Sequence, residues 1–248
     1  SYELKKYLSE STTKPVFAPK INSIDSLIKE ISGLKEIKKS YLENEVYQLY
    51  NQAKIPGYKE RNYDTAVVNS FLKDSSEIEQ NLLNVEDVMH ELIELNKIKH
   101  WGENNPSINI KQEFLKSLTS IYQEFKQKLN TQGLGTKGMC YSEAVVNLEH
   151  YKKANTNKRF FFIGLNALSK AEEIIIKEFI AINSINIFWD IDSNCFKNRN
   201  HSASFHIRKY RKEWSFYSKN KFKWLNNDLD SEKKISIIEA QGNIGQAR

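Results

Sequence analysis

Two cysteines, four prolines and nine glycines among 248 residues exclude several kinds of protein. Cys140 and Cys195 have neither the spacing of a disulfide framework nor that of a metal site, so a reducing cytoplasm is the expected setting. So few prolines and glycines suit long helices with short connections. No apolar run reaches the roughly 18 residues that cross a bilayer, and the opening SYELKKYLSESTTK has no apolar signal core, so no membrane partner is expected. The phosphate-binding pattern Gly-x-x-x-x-Gly-Lys-Ser/Thr is absent. Its nearest relative, Gly133 to Gly138, follows a helical pattern with its lysine out of order, and reads as a loop. His90, His100, His150, His201 and His206 show no i, i+4 ligand pair with a third partner, and no Ser-His-Asp or Cys-His arrangement can be assembled. No cofactor is expected, and no catalytic residue is assigned.

What the chain does have is concentrated between Lys158 and Asp192. Arg159 to Ile163 is a short apolar run, as expected for a strand covered on both faces, and Gly164 ends it. Ser169 can cap a helix, with Glu172 completing a capping box, and Leu168, Ile175, Ile176, Phe179 and Ile180 recur at helical spacing. Ile185 to Trp189 is a second apolar strand, closed by Asp190 and Asp192. Strand, helix, strand at this length predicts a βαβ unit and a parallel sheet. Asp190 and Asp192, two carboxylates at strand spacing, are weak candidates for a divalent metal; a solvated strand end or a helix cap is the alternative.

The net charge of +6 is unevenly placed. Between Phe196 and Leu225 stand nine basic residues, Lys197, Arg199, Arg208, Lys209, Arg211, Lys212, Lys219, Lys221 and Lys223, against the single acid Glu213. That window carries +8, leaving the rest of the chain at −2. It also holds Phe196, Phe205, Tyr210, Trp214, Phe216, Tyr217, Phe222 and Trp224. Cations interleaved with aromatics suit phosphates and stacked bases, and these basic residues with Trp214 form the candidate nucleic-acid site. The alternative is a solvated basic face whose aromatics are its buried side.

Elsewhere the pattern is helical. Pro15 to Leu34 reads as an extended piece and then a helix, capped by Ser23, with Ile24, Leu27, Ile28 and Ile31 as its apolar face and Gly33 as its stop. From about Glu36 to Ala154 successive apolar stripes, broken at Pro56-Gly57 and Asn104-Asn105-Pro106, predict a helical bundle. Lys234 to Ala240 predicts a third apolar strand. The abrupt ends suggest an internal piece of a larger protein.

Five segments, in order, resemble AddB-type inactivated superfamily I helicases, relatives of the UvrD-like helicases, in the branch that ends in a PD-(D/E)XK nuclease domain. Ile163 to Glu173 is similar to the family's GFNALTKAEE, and Phe188 to Asp192 to its YWDID strand end. Pro19 to Ile28, Gly138 to Tyr141 and Gly245 to Arg248 match three further family segments. The stretch Asn69 to Glu79 departs from the family pattern.

The resemblance implies an α/β fold: part of a RecA-like, P-loop NTPase-like parallel sheet domain interrupted by a large all-α insertion. Residues 1–35 would end the first half of that domain, 36–155 form the insertion, 156–230 complete the domain and 231–248 begin a second one. Gly164, Leu165 and Asn166 would occupy a degenerate Walker B position, where an active motor holds Mg²⁺ with acids. The implied role is a non-catalytic scaffold that binds or guides single-stranded or partly duplex DNA in an AddAB-type helicase–nuclease, beside an AddA-type subunit. A protein–protein module docking that motor, without DNA affinity, is the alternative. An enzyme using Asp190 and Asp192 is a third.

Overall fold

The computed structural model describes residues 2–12, 14–15, 17–53, 65–100, 106–181, 185–220, 222, 224–234 and 236. They form two compact units, one of residues 1–158 with 168–183, the other of 159–167 with 184–248.

The first unit is helical. Its elements are α1 (Tyr2–Ser11), α2 (Ile24–Ser32), α3 (Lys39–Gln52), α4 (Thr65–Gln80), α5 (Val85–Lys99), α6 (Pro106–Thr131), α7 (Lys137–Ala154) and α8 (Lys170–Ala181). Local sequence sets several boundaries. The Ser23 hydroxyl caps α2 by accepting from the Ser26 N–H, and Gly33 ends it at φ 70°. Asn84 caps α5 by accepting from the Glu86 and Asp87 N–H groups. At α8 the Ser169 N–H donates to the Glu172 carboxylate at 2.7 Å, closing the expected capping box. Two short strands, β1 (Lys35–Glu36) and β2 (Leu134–Gly135), pair in parallel.

Apolar stripes of α3 to α7 meet in one core that includes Val46, Val68, Phe71, Phe125, Leu129 and Met139. Phe71 stands edge-on to Tyr122 and to Phe125, both with centroids 6.5 Å apart. α7 is the hub. Against α2 it buries Ala144 and Cys140 beside Ile28, all 0 % exposed. The Asn147 side-chain amide also donates to the Ser32 carbonyl at 2.9 Å. On its other side Lys152 pairs with Glu178 of α8 at 2.6 Å.

The second unit holds β3 (Phe160–Ile163), β4 (Ile185–Asp192) and β5 (Trp224–Asn226), in that order in a parallel sheet. Helices α9 (Ser193–Lys197), α10 (Phe205–Glu213) and α11 (Phe216–Lys219), with a single turn of 3-10 helix at Ser202–Ser204, connect β4 to β5, and a second such turn, Asp228–Asp230, follows β5. The strand–helix–strand order around α8 is as expected, and β3 pairs with β4 in parallel from Phe160↔Ile185 to Ile163↔Phe188.

The RecA-like domain is not what forms. The described chain is mostly helix, and its strands make one two-stranded and one three-stranded sheet. The apolar run at β3 had suggested a strand covered on both faces. Only one face is covered: Phe162 is buried, while Phe161 and Ile163 are 59 % and 65 % exposed. A doubly covered parallel layer needs more strands and two buried faces. The third strand expected at Lys234 to Ala240 and the Pro56-Gly57 break fall largely or wholly outside the described residues.

Among the described glycines, Gly138 has the least room for a side chain. A Cβ there would lie 2.5 Å from the Ser76 carbonyl oxygen and 2.6 Å from Glu79 Oε2. Backbone cannot yield as a flexible side chain does, so Gly138→Ala is expected to destabilise the unit by about 2 kcal/mol or more. Urea denaturation followed by circular dichroism checks this; an unchanged midpoint would contradict the close approach of α4 and α7.

Candidate functional site

The basic window folds around Trp189, near the end of β4. Its indole is 0 % exposed. Tyr210 stacks on it at 5.7 Å and 23°, Phe222 at 5.9 Å and 4°, and Trp214 tilts against it at 6.1 Å. The indole Nε1–H donates to the Tyr217 hydroxyl at 2.7 Å, satisfying the one polar atom this ring buries. Spacing explains the inward turn. Ile207, Tyr210 and Trp214 recur at i, i+3 and i+7, and all are buried. Trp214, 3 % exposed, is therefore core, with no free face for a base.

The cations divide into two sets. Lys197, Arg199, Lys209, Arg211, Lys212 and Lys219 are exposed. Arg211 also lies over the Phe196 ring at 5.1 Å and the Phe222 ring at 5.8 Å, so part of its role is to cover the aromatic core. Arg208 is half-buried and turned inward. Its guanidinium donates to the carbonyls of Asn198 at 3.0 Å, Arg199 at 3.0 Å and His201 at 3.2 Å, and to the Ser204 hydroxyl. The planar fork pins the loop between α9 and α10. Lys221 and Lys223 lie outside the described residues.

Asp190 and Asp192 do not form a pair. The register of β4 on β5 shifts between Trp189 and Asp192, so simple alternation fails there. Asp190 is exposed and Asp192 buried. Asp192 caps α9 by accepting from the Asn194 N–H at 2.8 Å, and its other oxygen accepts from the Leu229 N–H at 2.9 Å. Those bonds, the one from Leu229 foremost, hold its carboxyl below the usual range. Among the described residues no group of three or more His, Cys, Asp or Glu side chains is assembled to hold a metal ion. Cys195 Sγ stands 3.7 Å from His201 Nε2, a pair whose partners six residues apart carried no signal in the sequence.

Gly164, Leu165 and Asn166 form the turn after β3. Gly164 has φ 71°, and its N–H donates to the Phe188 carbonyl at 3.0 Å. A glycine belongs there because the turn is left-handed. The Walker B comparison belonged to the RecA-like frame, which the fold does not supply.

The helical unit contains a polar cluster that sequence reasoning passed over. Glu79, 4 % exposed, accepts from the Tyr122 hydroxyl at 2.7 Å and from the Thr136 hydroxyl at 3.2 Å. Thr136 caps α7 by accepting from the Met139 N–H, and the Gly138 N–H donates to the Ser76 hydroxyl at 2.9 Å. The signal was present: Glu79 continues the stripe of Val68, Phe71, Leu72 and Ser75 on α4. Beside it, a cleft of about 800 Å³ between α3, α4 and the start of α7 is lined by Lys39, Asn69, Lys73, Gln80 and Lys137 among others. Lys39 and Lys137 are drawn to Glu43 at 3.5 Å and Asp25 at 3.4 Å.

No protein-family profile matches the chain, and neither does any curated protein or solved structure.

Two predictions follow from these side chains. Burial pushes the Glu79 carboxyl above its ordinary 4.5, with Tyr122, Lys126 and Thr136 pulling it back. A raised folded-state pKa contributes stability below 4.5 that is lost as pH rises through the raised value. Stability should therefore fall as pH rises from 4.5 through the raised value, and Glu79→Gln should flatten that part of the profile, as read by denaturant midpoints. Arg208→Ala leaves several backbone carbonyls without their donor and should cost about 2 kcal/mol, whereas Lys209→Ala should fall within about 0.5 kcal/mol of wild type. Equal effects in thermal melts would contradict the structural role of Arg208.

Proposed function

We propose that this chain is a non-catalytic DNA-holding part of an AddAB-type helicase–nuclease, serving double-strand-break repair and recombination beside an AddA-type motor subunit. The observation that carries the reading is how the basic window folds. Its aromatics close around Trp189 while Lys197, Arg199, Lys209, Lys212 and Lys219 stay exposed. Exposed cations that far outnumber the acids around them contact phosphates, the sequence-independent component of DNA affinity. The five segments in family order support the AddAB-type setting. The chemistry of Asp192 supports a holding role over turnover, because both its oxygens are committed to backbone N–H groups.

The test is fluorescence anisotropy of the whole chain with labelled DNA across a salt series. Binding should weaken linearly on a log–log plot, and Lys209→Ala/Lys212→Ala should lower the slope by roughly 1.4 to 1.8 if both contact phosphate. Binding that ignores salt, or a variant that binds as wild type, would overturn the reading.

A second reading, a module that docks a protein, is favoured by one feature of α5. Leu92, Leu95 and Ile98 are 45 %, 58 % and 65 % exposed on that helix. An apolar row on a surface helix suits a protein partner. Capture of an AddA-type subunit by a chain that binds no DNA at low salt would replace the first reading with this one.

A further inference from the structure

Among the described side chains of the basic window, Phe205 stands apart from the cluster around Trp189. Phe205, the first residue of α10, is 61 % exposed. By contrast, Phe196, Tyr210 and Trp214 are buried, and Phe216, Tyr217 and Phe222 are half-buried. Burial cannot explain the ring, since most of it faces water.

Its position is well defined. Ser204, 0 % exposed, donates its hydroxyl to the Cys195 carbonyl at 2.7 Å and fixes the start of α10. The His206 ring stands edge-on to Phe205 at 5.2 Å and 89°, and itself lies 6.4 Å from Tyr210 in the aromatic core. Phe205 is therefore held by its neighbour rather than swinging free. Helical geometry places Lys209 one turn beyond it and Lys212 two turns beyond, at i+4 and i+7 on the same face. Both lysines are exposed; the one acid of the helix, Glu213, follows them at its end, one turn beyond Lys209. An exposed aromatic at the end of a row of cations about a turn apart has the two parts a single-stranded nucleic acid requires: a face for one base and charges for the backbone that follows it.

We propose that Phe205 is a base-stacking residue and that, with Lys209 and Lys212, it makes α10 a contact for single-stranded DNA in preference to duplex. The inference rests on the DNA-holding reading and sharpens it. The phosphate contacts alone would not distinguish single-stranded from paired DNA, because duplex bases already stack on one another and offer no free face.

The experiment measures the whole chain by anisotropy against a labelled oligo-dT strand and a duplex of equal length at low salt. Phe205→Leu keeps the apolar bulk and removes the π face. It should weaken single-strand binding about fivefold or more and leave duplex binding within about twofold. Phe205→Trp should keep single-strand affinity, and the fluorescence of the introduced indole should be quenched on binding. Phe205→Leu binding the single strand as wild type, or losing both ligands equally, would overturn the stacking role. Circular dichroism of each variant confirms that α10 remains folded. If Lys209→Ala/Lys212→Ala loses affinity while Phe205→Leu does not, the stacking role falls and the DNA interface stands. If wild type binds neither ligand, both fall.

Discussion

The second unit depends on the burial of one indole. Trp189 sits on β4 with two rings stacked against it, and its single polar atom is satisfied by Tyr217. The sheet has only three strands, too little to enclose a core by itself. Aromatic side chains from α10, the turn after it and the segment before β5 supply the missing apolar area around that ring. This has an electrostatic consequence. A short segment that turns its aromatics inward has to leave its cations outside, because unpaired buried charge is costly. The basic surface is thus a by-product of the same packing that closes the core.

Arg208 is the exception that completes this arrangement. It turns inward and ties together three carbonyls along the path between α9 and α10. Lysine could not replace it, since no single ammonium spans several carbonyls in the plane of a fork. Two cations adjacent in sequence, Arg208 and Lys209, therefore have different roles: one holds the surface in shape and the other belongs to the surface.

Much of the local structure was legible in the residues. The Ser23 and Gly33 caps, the Ser169–Glu172 box, the helical stripes between about Glu36 and Ala154 and the parallel pairing of β3 with β4 all follow from rules that act within a few residues or one crossover. What failed was the extrapolation from a βαβ unit to a RecA-like layer. An apolar run says that a strand is favoured, but the number of neighbours and the covering of its second face are non-local. The exposure of Phe161 and Ile163 lies at that level. The Asp190–Asp192 pairing failed for a related reason, because alternation assumes an unbroken ladder and the register shift breaks it. The Trp214 position shows the limit from the other side. Composition suggested a base platform, while the i, i+3, i+7 spacing of its helix already suggested core.

The two units handle polar groups in opposite ways, and this bears on which of them can act on a ligand. In the helical unit, Glu79 is enclosed by hydroxyl donors from Tyr122 of α6 and Thr136 at the cap of α7, and Gly138 lets α4 approach closely enough to enclose it. That carboxyl is committed to holding two helices together, and moving it would open the core. In the second unit the fixed polar groups, Arg208 and Asp192, likewise serve the backbone, but each leaves exposed cations beside it on α9 or α10. A surface of charges carried on rigidly pinned loops binds an extended anion with little loss of order on binding. Rigid support combined with exposed charge is the physical basis on which the proposed holding role rests.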